Sequence, residues 1–400
     1  MSFELSREHE EFRHTVRSFA EAEIAPHVAE WDKAHHFPTD VVQKMGALGL
    51  FGLTAPEEYG GAGIEAEDGP FTSLCIAIEE LGRVDQAMGI TLEAGVGLGI
   101  NPILTYGTDA QKQEWLPDLV SGQMLAGFGL TEPGAGSDAG ATKTRAETDP
   151  ASGDWIVNGS KQFITNSGSS ITKLVTVTAR TGLRDNGTAE ISTIVIPTGT
   201  PGFTAEPAYD KLGWHISDTH PLTFVDCHVP AGNLLGERGR GYAQFLATLD
   251  DGRVAIAALA VGLIQACVDM CVTYALERQT MGGPIGRKQG VAFQIADLEV
   301  KLHASRMLTY RAAAMKDAML GGRGPSMKEF KQAASVAKLF TSEAAMDATR
   351  IATQVFGGYG FMEEYAVARF YRDAKILEIG EGTSEVQRML IARGLGLPVE

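Results

Sequence analysis

Residues 128–146 read FGLTEPGAGSDAGATKTRA, and the character of the chain changes on either side of them. Upstream the pattern is helical. Ser6 is a candidate N-cap whose capping box closes at His9–Glu10. The run FTSLCIAIEEL over 71–81 reads as a helix ending at Gly82, and 110–119 as a shorter one with Pro117 near its end. Downstream, to about Arg238, β-prone runs dominate. WIVNGSKQFIT (155–165) places Asn158-Gly159 between two such runs and predicts a hairpin there; LVTVTA (174–179) and ISTIVIP (191–197) flank Asn186-Gly187. Pro197, Pro201, Pro207 and Pro221 read as turns or edges. About six to eight strands fit, enough for a small barrel or sandwich.

From Gly239 the helical period returns. Ile256, Leu259, Leu263, Ile264, Cys267, Val268 and Cys271 share one stripe, and Phe293, Ala296, Val300, Ala304, Met307 and Leu308 another. Gly321-Gly322-Arg323-Gly324-Pro325 ends the second helix, Ser326 and Glu329 form a capping box for a third that runs to Gly357-Gly358, and a fourth starts near Thr383. The predicted fold class is α+β, mostly α: an N-terminal helical domain (1–127), a middle β-barrel or sandwich domain (128–238) and a C-terminal four-helix bundle (239–400).

Composition narrows the function. The 400 residues carry 34 Lys+Arg against 50 Asp+Glu, a net charge of −16, which argues against nucleic acid and anionic membrane surfaces as partners. The longest apolar runs are broken by Gly, Asp or Arg short of a membrane span. The N-terminus reads as the start of a helix rather than a signal segment, and Cys75, Cys227, Cys267 and Cys271 form no CxxC pair. A cytoplasmic enzyme with no metal site is expected.

Two segments offer chemistry. In 128–146, Gly134 and Gly136 free the backbone while Thr131 and Ser137 supply hydroxyls, which suits a cradle for a phosphate or polar ring, or an ordinary glycine-rich turn. Neither GxGxxG in a strand–helix context nor GxxxxGK[ST] occurs. Near the C-terminus, Glu381 stands in a glycine-flanked loop ahead of Thr383-Ser384-Glu385; either Glu381 or Glu385 could serve as a buried acid–base group or merely as a capping carboxylate.

TEPGAGSDAG, KQFIT, YALERQTMGGPIGRKQGVAFQ, QVFGGYGF and RDAKILEIGEGTSEVQR, in this order and spacing, resemble the acyl-CoA dehydrogenase family over essentially the whole chain. The resemblance implies the three-domain fold, one FAD per subunit, an acyl-CoA substrate, an electron-transfer flavoprotein as acceptor, a homotetramer, and a role in fatty-acid β-oxidation. It implies that Phe128, Leu130, Thr131, Gly136 and Ser137 line the flavin, with Ser137 also meeting substrate. Phe163, Ile164 and Thr165 match the family's Trp-Ile-Thr. Arg278 and Gln289 would reach FAD of a neighbouring subunit, and Gln354, Gly357 and Gly358 the pyrophosphate across that interface. Thr383, Ser384 and Glu385 would complete the flavin site; Asp250 and Arg253 would meet CoA; Gly382 and Glu93 would line the acyl pocket, Glu93 at its floor.

Glu381 matches the common catalytic base, which takes the α-proton while flavin N5 takes the β-hydride; the carbonyl is polarised by the ribityl chain and the base residue's backbone N–H. The alternative base position on the bundle helix is Gly252, which is inert. Departures are Phe163 for Trp, Met281 for Phe, Lys288 for an aromatic, and Gly380 for Tyr, which removes bulk beside the base. Other readings are an oxidase or flavin monooxygenase on the same fold, and a non-catalytic acyl-CoA-binding protein.

Overall fold

The computed structural model describes residues 5–399. Seven helices come first: α1 (Arg7–Glu23), α2 (Val28–Ala34), α3 (Thr39–Ala47), α4 (Pro70–Val84), α5 (Gln86–Glu93), α6 (Asn101–Tyr106) and α7 (Asp109–Val120). Ser6 caps α1 by accepting from His9 N at 3.2 Å. The reciprocal arm of a capping box is missing because the third helical position is His9, which has no carboxylate to return. α4 runs through Gly82 and stops where Asp85 turns extended and caps α5, accepting from Met88 N at 2.9 Å. Between α5 and α6 the backbone widens into a π-helical turn, Ala94–Ile100, a local form often found at functional sites.

The middle of the chain forms β1 (Leu125–Gly129), β2 (Arg145–Thr148), β3 (Trp155–Thr165), β4 (Thr172–Leu183), β5 (Ala189–Pro197), β6 (Phe203–Ala205), β7 (Thr219–Val229) and β8 (Leu234–Leu235). They make one continuous sheet in the order β6-β7-β3-β2-β4-β5-β8, with β1 parallel to β4. Its core is Val157, Val175, Val177, Ile194, Ile196, Leu222 and Phe224. The turn at Asn186-Gly187 joins β4 to β5 as the sequence predicts. The hairpin expected at Asn158-Gly159 does not form; β3 passes straight through it, paired with β2 on one side and β7 on the other. Asn158 uses its amide on β7 instead, donating to Asp226 Oδ1 at 3.2 Å and accepting from Asp226 N at 2.9 Å. Gly159 is required by proximity: a Cβ there would lie 2.5–2.8 Å from Thr144. Pro221, expected at a turn or edge, lies inside β7 between β3 and β6.

The C-terminal part contains α8 (Gly241–Glu277), a short hairpin of β9 (Gln279–Thr280) and β10 (Gly283–Pro284), then α9 (Gln289–Leu320), α10 (Met327–Phe356), α11 (Ala366–Ala374) and α12 (Ser384–Gly394). The capping box of Ser326 and Glu329 is complete. α8, α9 and α10 pack on one another, α12 closes on α10, and α4 lies against α8. Composition understated α8: its apolar stretch is long enough to cross a membrane, with mean hydropathy 2.1, yet 83 % of that stretch is buried within the protein, as is most of 86–106. The four cysteines are free and buried.

Gly159→Val should destabilise the protein by about 1–3 kcal/mol, because a branched side chain is driven into Thr144, just ahead of β2. Urea denaturation checks this, and an unchanged midpoint would contradict the close approach.

Candidate active site

The glycine-rich segment is held by a buried ion pair. Lys161 on β3 is fully buried, and its Nζ donates to Glu132 Oε1 (2.8 Å), Thr178 Oγ1 (3.0 Å), Leu130 O (3.2 Å) and Thr142 Oγ1 (3.2 Å). Glu132 also accepts from Lys143 N (2.6 Å), Thr144 N (3.0 Å) and Thr142 Oγ1 (2.8 Å). Charge and donors on all sides keep the Glu132 carboxyl at about 2 although burial opposes ionisation, while burial lowers Lys161 to about 8 despite Glu132. Neither residue was singled out from the sequence. Their partnership spans two strands and a loop, and only a lysine inside a β-prone run hints at it.

One residue on, β3 bulges. Lys161 pairs with Leu222 and Ile164 with His220, so Gln162 and Phe163 together oppose Pro221. Proline has no N–H to give, which releases the strand there. Gln162 N turns to Thr131 O at 2.9 Å, bringing the two sequence motifs together. Phe163 takes φ 61° and its ring, 61 % exposed, rests beside Tyr209 at 5.2 Å. Phe128 stacks on Phe245 at 3.9 Å, and Leu130 packs in the same cluster as Leu98 and Leu249. Gly136 has open space where a Cβ would be, and Ser137 is exposed. Ile164 is buried and Thr165 half-buried.

The second cluster surrounds Glu381. It follows Gly380 and precedes Gly382 with φ 51°, a left-handed geometry unusual for a side-chain-bearing residue. Thr383 caps α12, accepting from Val386 N at 3.3 Å. Lys338 Nζ donates to Gly382 O at 2.8 Å, and Gln387 Nε2 to Gly382 O at 3.0 Å and Glu381 O at 3.3 Å, so α10 and α12 together fix the loop. Both Glu381 carboxyl oxygens are shut off from solvent and accept from no donor among the described residues. They lean on α8 where it lacks a side chain: a Cβ on Gly252 would stand 2.0 Å from Glu381 Oε2. Burial raises the Glu381 carboxyl to about 7, against the opposing pull of the neighbouring Glu93 carboxyl and of the Lys338 and Arg253 charges. Burial lowers Lys338 to about 8. Asp250 and Arg253 are buried and ion-paired, with Lys331 Nζ 3.1 Å from the other Asp250 oxygen. Ser384 Oγ is buried without a partner among the described residues, and Glu385 is exposed in the first turn of α12.

The remaining candidates lie elsewhere. Arg278 ends α8, its guanidinium 5.4 Å from the centre of the Tyr359 ring; Gln289 opens α9, and Gln354, Gly357 and Gly358 end α10, all exposed. Along α8, Arg278 is about 40 Å from Gly252, so one subunit does not gather these residues with Glu381.

The residues fit FAD. The exposed Phe163 face offers a stacking surface, the 131–137 loop gives open backbone at Gly136, and Ser384 Oγ is a buried polar atom without a partner among the described residues. Among the described residues no cluster suited to a metal ion occurs.

Comparison with known proteins places three acyl-CoA dehydrogenase domains in order: N-terminal over 6–123, middle over 127–227 and C-terminal over 239–396. The chain is 45 % identical to "Probable acyl-CoA dehydrogenase YngJ" of Bacillus subtilis (strain 168), covering 99 % of this chain and 100 % of that one. Butyryl-CoA dehydrogenase from Megasphaera elsdenii superposes with a TM-score of 0.91 at 40 % identity, covering 99 % and 100 %. A chain from a structure described as the electron transferring flavoprotein of Acidaminococcus fermentans gives the same TM-score and identity, covering 99 % of each.

Lys161→Met should cost about 3–5 kcal/mol, because Glu132 is left buried and unpaired; Lys161→Met with Glu132→Gln should recover part of that. Glu132, held below its unfolded value, stabilises the fold above about pH 4.5, and this contribution is lost as pH falls toward 2. The acid dependence of Tm should therefore flatten in Glu132→Gln.

Proposed function

The chain belongs to the acyl-CoA dehydrogenase family, and from that premise we propose that it desaturates short-chain acyl-CoA thioesters with Glu381 as the base. The enzyme is an FAD-dependent acyl-CoA dehydrogenase. When bound, FAD supplies the acceptor for the β-hydride.

The observation that carries the assignment of Glu381 is its carboxyl group, shut off from water, without a donor among the described residues, and pressed against Gly252. A carboxylate that must remove a weakly acidic α-proton gains basicity from desolvation. At about 7 its carboxyl is poised to hold the proton it takes, while Lys338 and Arg253 keep an ionised fraction available. Lys338 and Gln387 hold the loop so that the carboxyl meets the substrate carbon in a fixed orientation. The missing side chain at Gly252 leaves the base position to Glu381 alone.

Short acyl chains follow from Glu93. Its carboxyl is buried beside that of Glu381, which leaves little room for an alkyl tail past the reacting carbons. The likeness to a butyryl-CoA dehydrogenase supports the same reading. Phe128, Thr131, Ser137, Phe163 and Thr165, with Ser384, would hold the flavin. Arg278, Gln289 and Gln354–Gly358 would contribute to the site of a neighbouring copy in a homotetramer, and the exposed Phe293, Val300 and Met307 on α9 suit burial against such a copy. Electrons would pass to an electron-transfer flavoprotein. An oxidase would instead consume oxygen stoichiometrically with turnover.

Anaerobic titration with acyl-CoAs of graded length should bleach the flavin with four- to six-carbon chains and leave it oxidised with long ones; no bleaching by any would overturn the reading. Glu381→Gln should keep FAD and ligand binding but slow flavin reduction by orders of magnitude. Gly252→Glu with Glu381→Gly should restore part of it, since both positions converge on one point. The wild-type rate should rise with pH through about 7 as Glu381 ionises. A raised carboxyl favours the folded state only while protonated, so Glu381 costs stability as pH climbs from about 4.5 through 7. Glu381→Gln should therefore melt higher than wild type at pH 8.

A further inference from the structure

Glu93 ends α5 just before the π-helical turn, and its side chain is completely buried. Neither of its oxygens accepts a hydrogen bond from a donor among the described residues. Two unpartnered carboxyls, Glu93 and Glu381, thus share one dry space, and they are placed to hydrogen-bond to each other. Glycines bound that space on both sides. A Cβ on Gly252 would collide with Glu381 Oε2, and one on Gly97, within the π-helical turn, would stand 3.1 Å from Glu93 Oε1. Larger residues at either position would drive the carboxyls apart.

We propose that Glu93 is a positioning residue for the base: its protonated carboxyl donates to the Glu381 carboxylate and holds it at the substrate carbon. This rests on the assignment of Glu381 as base. Two ionised carboxylates in contact without water repel strongly, so one proton stays in the pair at neutral pH. The charged groups around the pair decide which carboxyl ionises. Arg253 from α8 and Lys338 from α10 act on Glu381, and Asp250 is neutralised by Arg253 and Lys331. Glu378, from the turn after α11, and Glu385, on α12, act on Lys338. Glu93 has no cation of its own, and burial together with the Glu381 charge pushes its carboxyl well above the usual carboxylate range. Glu381 ionises first and Glu93 keeps the proton. No proton is gained or lost by Glu93 in turnover; the substrate's α-proton moves from carbon to Glu381, and the Glu93 O–H fixes which Glu381 oxygen remains free to receive it.

The test compares Glu93→Gln, which keeps a donor of similar shape, with Glu93→Leu, which removes it. Isotope-edited infrared difference spectra of wild type minus Glu93→Gln should contain a protonated-carboxyl band that persists at pH 8.5, above the Glu381 transition. In the pH dependence of the reductive half-reaction, Glu93→Gln should keep the acid limb near that of wild type, whereas Glu93→Leu should shift it upward by about one to two pH units, the loss of a hydrogen bond to a charge. Absence of the band, or equal shifts in the two variants, would overturn the proposal. Failure of the base assignment would read differently: Glu381→Gln would then remain active, whatever the Glu93 variants do.

Discussion

Everything in this protein is arranged around one helix whose central stretch is buried on all sides. α8 is 37 residues, about 55 Å, and from Asp250 to Ile264 every residue is buried. α4 and α5 of the first domain, α9, α10 and α11 of the last, and β5 of the sheet all pack on it. A helix enclosed in this way has no polar face to spare, so its few charges must be matched locally: Asp250 by Arg253 and Lys331, Asp251 by Lys316. Where it lacks a side chain, at Gly252, the Glu381 carboxyl fills the gap.

The site is built from groups that each cost stability. Glu381 has a strained backbone and a dehydrated carboxyl, Glu93 is buried without a cation, and Lys338 is a buried amine. They persist because surrounding structure fixes them: the caps of α12, the donors from Lys338 and Gln387, and the packing of α5 and α10 on α8. In the glycine-rich segment the same principle takes another form. Lys161 and Glu132, paired with each other and bonded by the groups around them, are fully satisfied and anchor a glycine-rich loop, while the bulge opposite Pro221 turns Phe163 outward. One cluster is rigid through complete satisfaction, the other reactive through incomplete satisfaction.

Misreadings of the sequence have a common origin. Asn158-Gly159 has the chemistry of a hairpin turn, but strand pairing on both sides outweighed it, and the glycine serves the approach of Thr144. Pro221 looked like punctuation, yet it sits mid-strand and explains the bulge that frees Phe163. In both cases the residue type was informative, and the neighbour that gave it meaning lay on another strand.

By itself the sequence determined the order of helical, β and helical parts, several helix termini (Ser6 for α1, Ser326 for α10, Thr383 for α12), and the residue types of the glycine-rich and Glu381 segments. Those properties live in periodicity, caps and short motifs, which act over a few residues. Only the tertiary structure decided that Glu381 rests on Gly252, that Glu93 joins it, that Lys338 ties down its loop, and that Lys161 neutralises Glu132. Desolvation is the reason. Whether a carboxyl is an exposed cap or a raised-pKa base depends on what excludes water from it, and here those groups come from α5, α8 and α10, far apart in the chain and adjacent only in the fold.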